Sequence, residues 1–195
     1  YTQWYTLSLH DALPILKILT QFSNKQGRLL ITHKNKTRND NKTIIKQIGA
    51  NMRSKELAKV ISQECIGTGV YSMWIETKAA DTAVAGQFIS VYCNDKTKLL
   101  PRPISICQVD KENGRLRIVY RVVGGGTTEM STYKAGDSVS IIGPLGNGFM
   151  QREGKKAILI GGGIGITPMV KLATELKAKA EVQIVAGYRD ELFLT

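Results

Sequence analysis

Six short, strand-like segments occupy the chain between Ala58 and Ile142, and four of the five connections between them contain glycine. They are rich in β-branched and aromatic residues, which favour strands. The segments are 59–65, 70–76, 87–92, 104–109, 115–122 and 138–142. Short strands at regular spacing, with turn residues between them, are typical of antiparallel barrels. We therefore predict a small antiparallel β-barrel in this part of the chain.

The pattern changes in the last quarter of the chain. The continuous apolar run at 157–160 is typical of a strand that is buried on both faces of a parallel sheet. A glycine loop at 161–166 follows it, and apolar residues then recur at helical spacing up to Ala180, with Thr167 as the predicted N-cap. A second apolar run at 182–186 completes one right-handed βαβ unit.

Composition divides the chain near Met52. Residues 1–51 carry eight of the Lys and Arg residues and two of the Asp and Glu residues, whereas 17 of the 19 glycines follow Met52. The polar run 32–43 has no periodicity and predicts disorder, while 8–15 resembles translated sequencing-adapter read-through. We therefore predict a disordered, non-native tail at 1–51, a barrel at 52–153 and a partial, C-terminally truncated α/β lobe at 154–195. A genuine basic tail that contacts nucleic acid and an amphipathic transit peptide remain the alternatives.

Charge and cysteine content restrict the functional classes. The net charge of +11 falls to +5 once 1–51 is set aside, so the body is mildly basic and gives little reason to predict nucleic-acid binding. Cys65, Cys93 and Cys107 form no C-x-x-C pair, which favours a reducing, cytoplasmic compartment. The longest uncharged, mainly apolar stretch, 157–170, is shorter than the roughly 18 residues of a membrane span, so no membrane association is predicted.

The glycine loop between the predicted strand and helix suits a phosphate ligand. Glycines let the ligand approach the main chain, and N–H groups at a helix start attract negative charge. The loop is not a Walker motif, because no G-K-[ST] follows it, and G-x-G-x-x-G fails because Ile166 stands in the last glycine position. A tight strand-to-helix junction would also require glycine, so a purely structural turn remains an alternative.

A second set of motifs lies within the predicted barrel. Arg102–Ser105 offers a guanidinium that can bind phosphate and a hydroxyl that can bind a heterocycle. Val119–Arg121 and the glycine loop Gly124–Thr128 follow downstream, and the loop can receive a second pyrophosphate. Each motif alone also fits an ordinary surface charge, strand residue or flexible connection. Their order, followed by a separate nucleotide loop, favours a two-cofactor protein.

From residue 52 to residue 194 the sequence resembles the ferredoxin-reductase-like flavoproteins, and within them the electron-transfer subunits of class B dihydroorotate dehydrogenases. The resemblance rests on glycine-rich and Arg-Pro motifs that occur in a fixed order. These are 85–88, 102–106, 119–124, 126–127, 143–149, 161–168 and 187–189. The resemblance implies an FAD-binding barrel followed by a Rossmann-like NAD-binding lobe.

The resemblance also implies roles for individual residues. Arg102 would meet the FAD phosphates or ribityl chain, with Pro103 in the same motif, Ile104 would pack against the flavin, and Ser105 would lie near its redox-active ring. The remaining expected contacts with FAD are Val119, Tyr120, Arg121, Gly126 and Thr127. Those expected with NAD are Gly162, Gly163 and Gly165. The opposite charges of Arg189 and Asp190 leave NAD and NADP both open.

The implied activity passes electrons from dihydroorotate, oxidised on a catalytic partner subunit in a heterotetramer, through a [2Fe-2S] cluster and FAD to NAD+, in pyrimidine biosynthesis. No protein acid or base is expected at the final transfer, because the cofactors supply the chemistry. The family's C-terminal cysteine cluster is not found, and Cys65, Cys93 and Cys107 are too widely spaced to replace it. A related NAD(P)H-linked ferredoxin or sulfide oxidoreductase subunit and a basic RNA-binding module are the alternative functions.

Overall fold

The computed structural model describes residues 55–151, 156–188 and 193–194. Six antiparallel strands in it form a closed barrel, in the order β1-β2-β5-β4-β3-β6, and β6 pairs back with β1. The strands are β1 (Glu56–Gly67), β2 (Val70–Glu76), β3 (Phe88–Tyr92), β4 (Arg102–Asp110), β5 (Arg115–Arg121) and β6 (Ser138–Leu145). The predicted antiparallel barrel is confirmed.

Alternation along the strands builds the barrel core. On β5, Leu116, Ile118 and Tyr120 point inward and are almost fully buried, and the residues between them face outward. A short helix, α1 (Gly125–Met130), follows β5 and packs Met130 into the same core. The sequence predicted an open glycine loop here instead of a helix, because glycine is a poor helix former and two glycines begin α1.

The predicted βαβ unit is present after the barrel. Strand β7 (Lys156–Gly162) leads into a 3-10 turn (Gly163–Ile166), then into helix α2 (Thr167–Leu176) and strand β8 (Glu181–Gly187). The two strands pair in parallel along their whole length. The barrel and this unit belong to the same compact part of the chain.

Two details of the βαβ unit differ from the sequence-based prediction. Thr167 is not the N-cap, because the 3-10 turn runs directly into α2 and Ile166 occupies the capping position without a side-chain bond. The apolar run of β7 is covered on one face only: Leu159 is buried under α2, whereas Ile158 and Ile160 are 47% and 42% exposed. Burial of β7 on both faces, which the continuous run predicted, is therefore wrong for the described residues, because they provide one helix that packs on one face of a two-stranded sheet.

Some predictions concern residues outside the described part of the chain. These are the disordered, non-native tail at 1–51, its boundary at Met52, the boundary between barrel and lobe at 153–154, and the nucleotide-selecting pair Arg189 and Asp190. Within the described residues, no helix has the length and apolar character needed to cross a membrane.

Candidate functional site

The predicted barrel motifs converge at one end of two neighbouring strands. Strands β4 and β5 run antiparallel with Ile106 opposite Ile118, so residues 102–105 and 119–121 lie at the same end of the pair. Helix α1 begins just beyond that end of β5. Three motifs that are separate in sequence therefore become one surface.

Arg102 lies against the first turn of α1. Its Nη1 donates a hydrogen bond to the carbonyl oxygen of Leu100, and its guanidinium is so close to Gly126 that a Cβ there would overlap it. A side chain at residue 126 would displace the arginine from this position, and Gly126 itself is buried. The arrangement brings a permanent cation to a helix start whose preceding glycine main chain, at Gly124 and Gly125, is exposed, which is the chemistry that binds a phosphate ester.

The hydroxyl of Thr127 shapes this turn from inside. Its Oγ1 accepts hydrogen bonds from the N–H groups of Val123 at 2.9 Å and Gly124 at 3.2 Å, and donates to the Gly124 carbonyl oxygen at 3.0 Å. Because the side chain is buried and bonded within the loop, Thr127 fixes the main chain of Gly124 and Gly125, which stays exposed to a ligand.

Strand alternation divides the predicted flavin contacts between the two faces of the barrel wall. Ile104 packs against the barrel core, so Pro103 and Ser105 face outward, and Val119 and Arg121 do the same on β5. Of these four, Pro103 and Arg121 are exposed, Ser105 is half-buried and Val119 is buried. The outward face thus carries a hydroxyl, a cation and apolar surface beside the Arg102 turn.

Tyr120 is turned the other way, into the core. It is 2% exposed, its hydroxyl donates to Oε1 of Gln63 at 2.8 Å, and its ring stacks on Tyr71 at 5.9 Å between centroids. Burial raises the pKa of the Tyr120 hydroxyl. The side chains of Tyr120 and Ile104 therefore belong to the barrel interior, and these two residues contribute only their main chain to the outer surface.

Glycines in the βαβ turn have two different tasks. A Cβ at Gly161 would lie 2.8 Å from the Cα of Ile166 and 3.0 Å from the Gly165 carbonyl oxygen, so glycine is required there for the turn to fold back on the strand. A Cβ at Gly162, Gly163 or Gly165 would meet no atom within 4 Å. These three leave open main chain for a close ligand, as dinucleotide binding requires.

Contacts at three places join the βαβ unit to the barrel. Ile166 of the 3-10 turn packs in one apolar cluster with Cys107 of β4 and Val119 of β5. Helix α2 packs along β4, and Oε1 of Glu175 on α2 accepts a hydrogen bond from the main-chain N–H of Ala85 at 3.1 Å. The 3-10 turn is thereby held against the outward face of β4 and β5, the face that also carries Ser105.

Two further motifs of the resemblance, 85–88 and 143–149, are joined by hydrogen bonds. Nε2 of Gln87 donates to the Gly146 carbonyl oxygen at 3.0 Å, and the N–H of Phe149 donates to the Ala85 carbonyl oxygen at 2.9 Å. Gly86 has a φ of +95°, and a Cβ there would meet the Phe149 main chain at 2.8 Å. Segments 85–88 and 143–149 thus form one packed unit, with Phe88 paired opposite Ser105.

The described residues offer no site for an iron–sulfur cluster. Cys65 is exposed, Cys93 is half-buried and Cys107 is buried, with burial raising the pKa of its thiol to about 11. No group of three or more His, Cys, Asp or Glu residues in this part of the chain is arranged to hold a metal ion. The three cysteines therefore do not fit a [2Fe-2S] cluster.

The site residues predicted from the sequence do not include Gln63, Glu129, Gly161 and Glu175. Gly161 carried a signal, because it is the first glycine of the predicted loop 161–166. The other three act on residues far away in sequence: Gln63, for example, donates through Nε2 to the carbonyl oxygens of Met130 and Tyr133. No local motif marks such pairs.

Comparison with known proteins gives the same picture as the geometry. Residues 57–149 match the family described as the oxidoreductase FAD-binding domain. The chain is 37% identical over 145 residues to the dihydroorotate dehydrogenase B (NAD(+)) electron transfer subunit of Lysinibacillus sphaericus, covering 72% of this chain and 56% of that protein. The protein of the same name from Caldanaerobacter subterraneus subsp. tengcongensis is 41% identical over 143 residues, covering 73% and 56%. The chain thus spans about half the length of the curated relatives it matches.

Two solved structures with similar folds are an oxidoreductase and a reductase by name. The NADH-dependent reduced ferredoxin-NADP oxidoreductase aligns with a TM-score of 0.64 at 29% identity, over 72% of this chain and 51% of that one. Phthalate dioxygenase reductase aligns with a TM-score of 0.59 at 25% identity, over 70% and 44%. The barrel therefore has the ferredoxin-reductase-like FAD-binding fold.

Proposed function

We propose that the chain is part of an electron-transfer flavoprotein subunit, on the premise that residues 57–149 match the oxidoreductase FAD-binding domain family. In this proposal it carries electrons from dihydroorotate oxidation through FAD to NAD+ in pyrimidine biosynthesis. The names of its relatives support the substrate. The barrel corresponds to a domain at 52–153 and the nucleotide lobe to 154–195.

One observation carries the proposal: the two glycine-rich turns flank a single barrel surface. Arg102 and Gly126 lie at one end of β4 and β5, while Ile166 holds the second turn against Val119 on the outward face of the same strands. A protein that passes electrons between two dinucleotides needs both ligands on one surface. The separate positions of the turns suit two pyrophosphates.

The residues fit FAD as follows. The guanidinium of Arg102 and the helix start that carries Gly126 and Thr127 would hold its pyrophosphate, with the exposed main chain of Gly124 and Gly125 beside them. Pro103, Ser105 and Arg121, with the main chain of Ile104 and Tyr120, would line the flavin ring, and Val119, which is buried in the cluster with Ile166, would support this surface. Bound FAD supplies the exchange between paired and single electron transfer.

The βαβ unit fits a nicotinamide dinucleotide at its glycine turn. Gly162, Gly163 and Gly165 have open main chain and would receive the pyrophosphate of NAD. Their location beside Val119 and Ser105 orients such a ligand toward the proposed flavin surface. The residues described provide no charged side chain that selects NAD over NADP.

Partners follow from the same relatives, which are electron-transfer subunits by name. We propose a dihydroorotate dehydrogenase catalytic subunit as the partner, in a cytoplasmic heterotetramer that needs neither nucleic acid nor membrane. A [2Fe-2S] cluster between the subunits would need ligands from other residues, because Cys65, Cys93 and Cys107 do not fit it.

A chimera tests the activity. Residues 57–149 replace the matching segment of the Lysinibacillus sphaericus relative, and dihydroorotate-dependent NAD+ reduction is measured with that organism's catalytic subunit. The proposal predicts activity that disappears when the chimera also carries Arg102→Ala. A chimera that binds FAD and reduces NAD+ only with reduced ferredoxin as donor would instead favour a ferredoxin-linked oxidoreductase, the second candidate, which the likeness to the ferredoxin-NADP oxidoreductase supports.

A further inference from the structure

We propose that Glu129 is a positioning residue for the flavin phosphates, acting through Arg102. The inference rests on the proposed FAD site and adds a residue that contacts no ligand itself. Glu129 lies on α1, and its carboxylate joins this helix to the loop 93–101 between β3 and β4.

The carboxylate of Glu129 accepts hydrogen bonds from four donors. Oε1 accepts from the main-chain N–H groups of Asn94 at 2.6 Å and Asp95 at 3.2 Å and from the hydroxyl of Tyr133 at 2.8 Å. Oε2 accepts from Nζ of Lys98 at 2.9 Å. Three of the four donors belong to the loop 93–101, so this loop is fastened to α1 at both its start and its middle.

Arg102 lies between the two segments that Glu129 joins. On one side its Nη1 donates to the carbonyl oxygen of Leu100, which belongs to the loop. On the other side its guanidinium covers Gly126, one turn before Glu129 on α1. Because a long arginine side chain has several rotamers, both supports are needed to keep it in one place. Loss of the Glu129 carboxylate would free the loop and with it the Leu100 support.

The direction in which the Kd for FAD changes when Glu129 is replaced distinguishes a positioning role from a purely electrostatic one. Glu129 is a negative charge close to the proposed phosphate site, so removing its charge would by Coulomb's law tighten the binding of an anionic ligand. Lys98, which also pairs with Asp95 at 3.1 Å, would be released as a cation and act in the same direction. Positioning through Arg102 predicts the opposite: weaker FAD binding.

The experiment titrates the apoprotein of the full chain with FAD and with riboflavin, which has the ring and no phosphate. For Glu129→Gln we expect the Kd for FAD to rise about tenfold, as for a coupled interaction of moderate size, and the Kd for riboflavin to stay the same. Glu112→Gln, which removes the same charge from the exposed β4–β5 turn, is the matched control and should leave both values unchanged. In an Arg102→Ala background, Glu129→Gln should have no further effect on FAD.

Tyr133→Phe provides a second variant that removes one donor and keeps the carboxylate; we expect a smaller rise in the Kd for FAD alone. Tighter FAD binding in Glu129→Gln, equal losses for FAD and riboflavin, or additive effects with Arg102→Ala would each overturn the inference. A wild-type chain that binds no FAD would overturn the proposed function and the inference with it. If the wild-type chain binds FAD and Glu129→Gln has the same Kd, the inference fails while the proposed function stands.

Discussion

At the scale of single residues, the candidate site uses main chain more than side chains. The Thr127 hydroxyl forms hydrogen bonds within the turn that contains Gly124 and Gly125, and the Tyr120 hydroxyl donates to Gln63 inside the barrel. Arg102 is different, because its charged group reaches the exposed end of the barrel. The strongest single contribution to ligand binding should therefore come from this arginine.

Replacing Arg102 should weaken FAD binding more than replacing Ser105. A charge-assisted contact with phosphate contributes about 1.5–3 kcal/mol, whereas a neutral hydroxyl bond contributes about 1 kcal/mol. Arg102→Ala should therefore raise the Kd for FAD by at least tenfold, and Ser105→Ala should change the flavin potential or the rate of hydride transfer more than the affinity. Titration of both apoproteins with FAD checks the ranking, and equal Kd values would remove Arg102 from the phosphate site.

Sequence alone predicted Arg102 and the glycines because each belongs to a short motif. It could not predict Glu129, whose partners Asn94, Asp95 and Lys98 lie more than 30 residues earlier and meet it only when the barrel closes. It also could not show that Tyr120 faces inward, since an aromatic residue on a strand has the same local pattern on either face.

At the scale of elements, strands were predicted better than helix starts. Short segments rich in β-branched and aromatic residues between turn residues predicted all six barrel strands, and apolar runs predicted β7 and β8. Helix α1 was missed because its first residues, Gly125 and Gly126, have low helix propensity and are stabilised by the Thr127 turn. Thr167 was wrongly predicted as a cap because the preceding glycines form a 3-10 turn, which moves the helix start.

Two glycine substitutions in the βαβ turn should separate folding from binding. Gly161→Ala places a Cβ 2.8 Å from the Ile166 Cα and should lower the free energy of unfolding by about 1–3 kcal/mol, the usual cost of overpacking. Gly162→Ala meets no atom within 4 Å and has extended backbone, so stability should hold while NADH binding weakens. Urea unfolding and NADH titration of both variants provide the measurement. Equal stabilities would mean that the turn can shift to admit the Gly161 side chain.

The Glu129 carboxylate should make stability depend on acid pH. Burial would raise its pKa, but hydrogen bonds from Lys98, Tyr133 and the amides of Asp95 and Asn94 outweigh burial and hold the pKa at about 2, below its ordinary value of 4.5. A lowered pKa means that the stabilisation is complete above 4.5 and is lost as the pH falls toward 2. Between these values the free energy of unfolding should fall less steeply for Glu129→Gln than for the wild type, as measured by urea unfolding. Parallel pH profiles would contradict the account.

At the scale of the whole molecule, the barrel is closed and the nucleotide unit is small. All six strands of the barrel have two neighbours, and its core is continuous. In the βαβ unit one helix covers one face of two strands, and Ile158, Ile160 and Val185 are exposed on the other face. Closure of the barrel was predictable from regular strand spacing. The burial of the two faces of β7 was not, because it depends on which other elements pack against the strand, and the local pattern does not specify them.

This difference predicts that the chain holds FAD better than it reacts with NADH. A parallel sheet covered on one face gives a less rigid glycine turn, which should position a nicotinamide poorly. Anaerobic stopped-flow reduction of the FAD-loaded chain by NADH should be slower than that of the full-length Lysinibacillus sphaericus relative. Equal rates for the two proteins would show that the described βαβ unit is sufficient.

The central claim is that Arg102, Ser105 and the turn before α1 form an FAD site at one end of the barrel. The most direct measurement is a titration of the purified apoprotein with FAD, followed by the quenching of flavin fluorescence. The account predicts saturable binding of one FAD per chain, with FMN and riboflavin bound progressively more weakly as phosphate is removed. Absence of saturable FAD binding by a folded chain, or equal affinity for FAD and riboflavin, would contradict it.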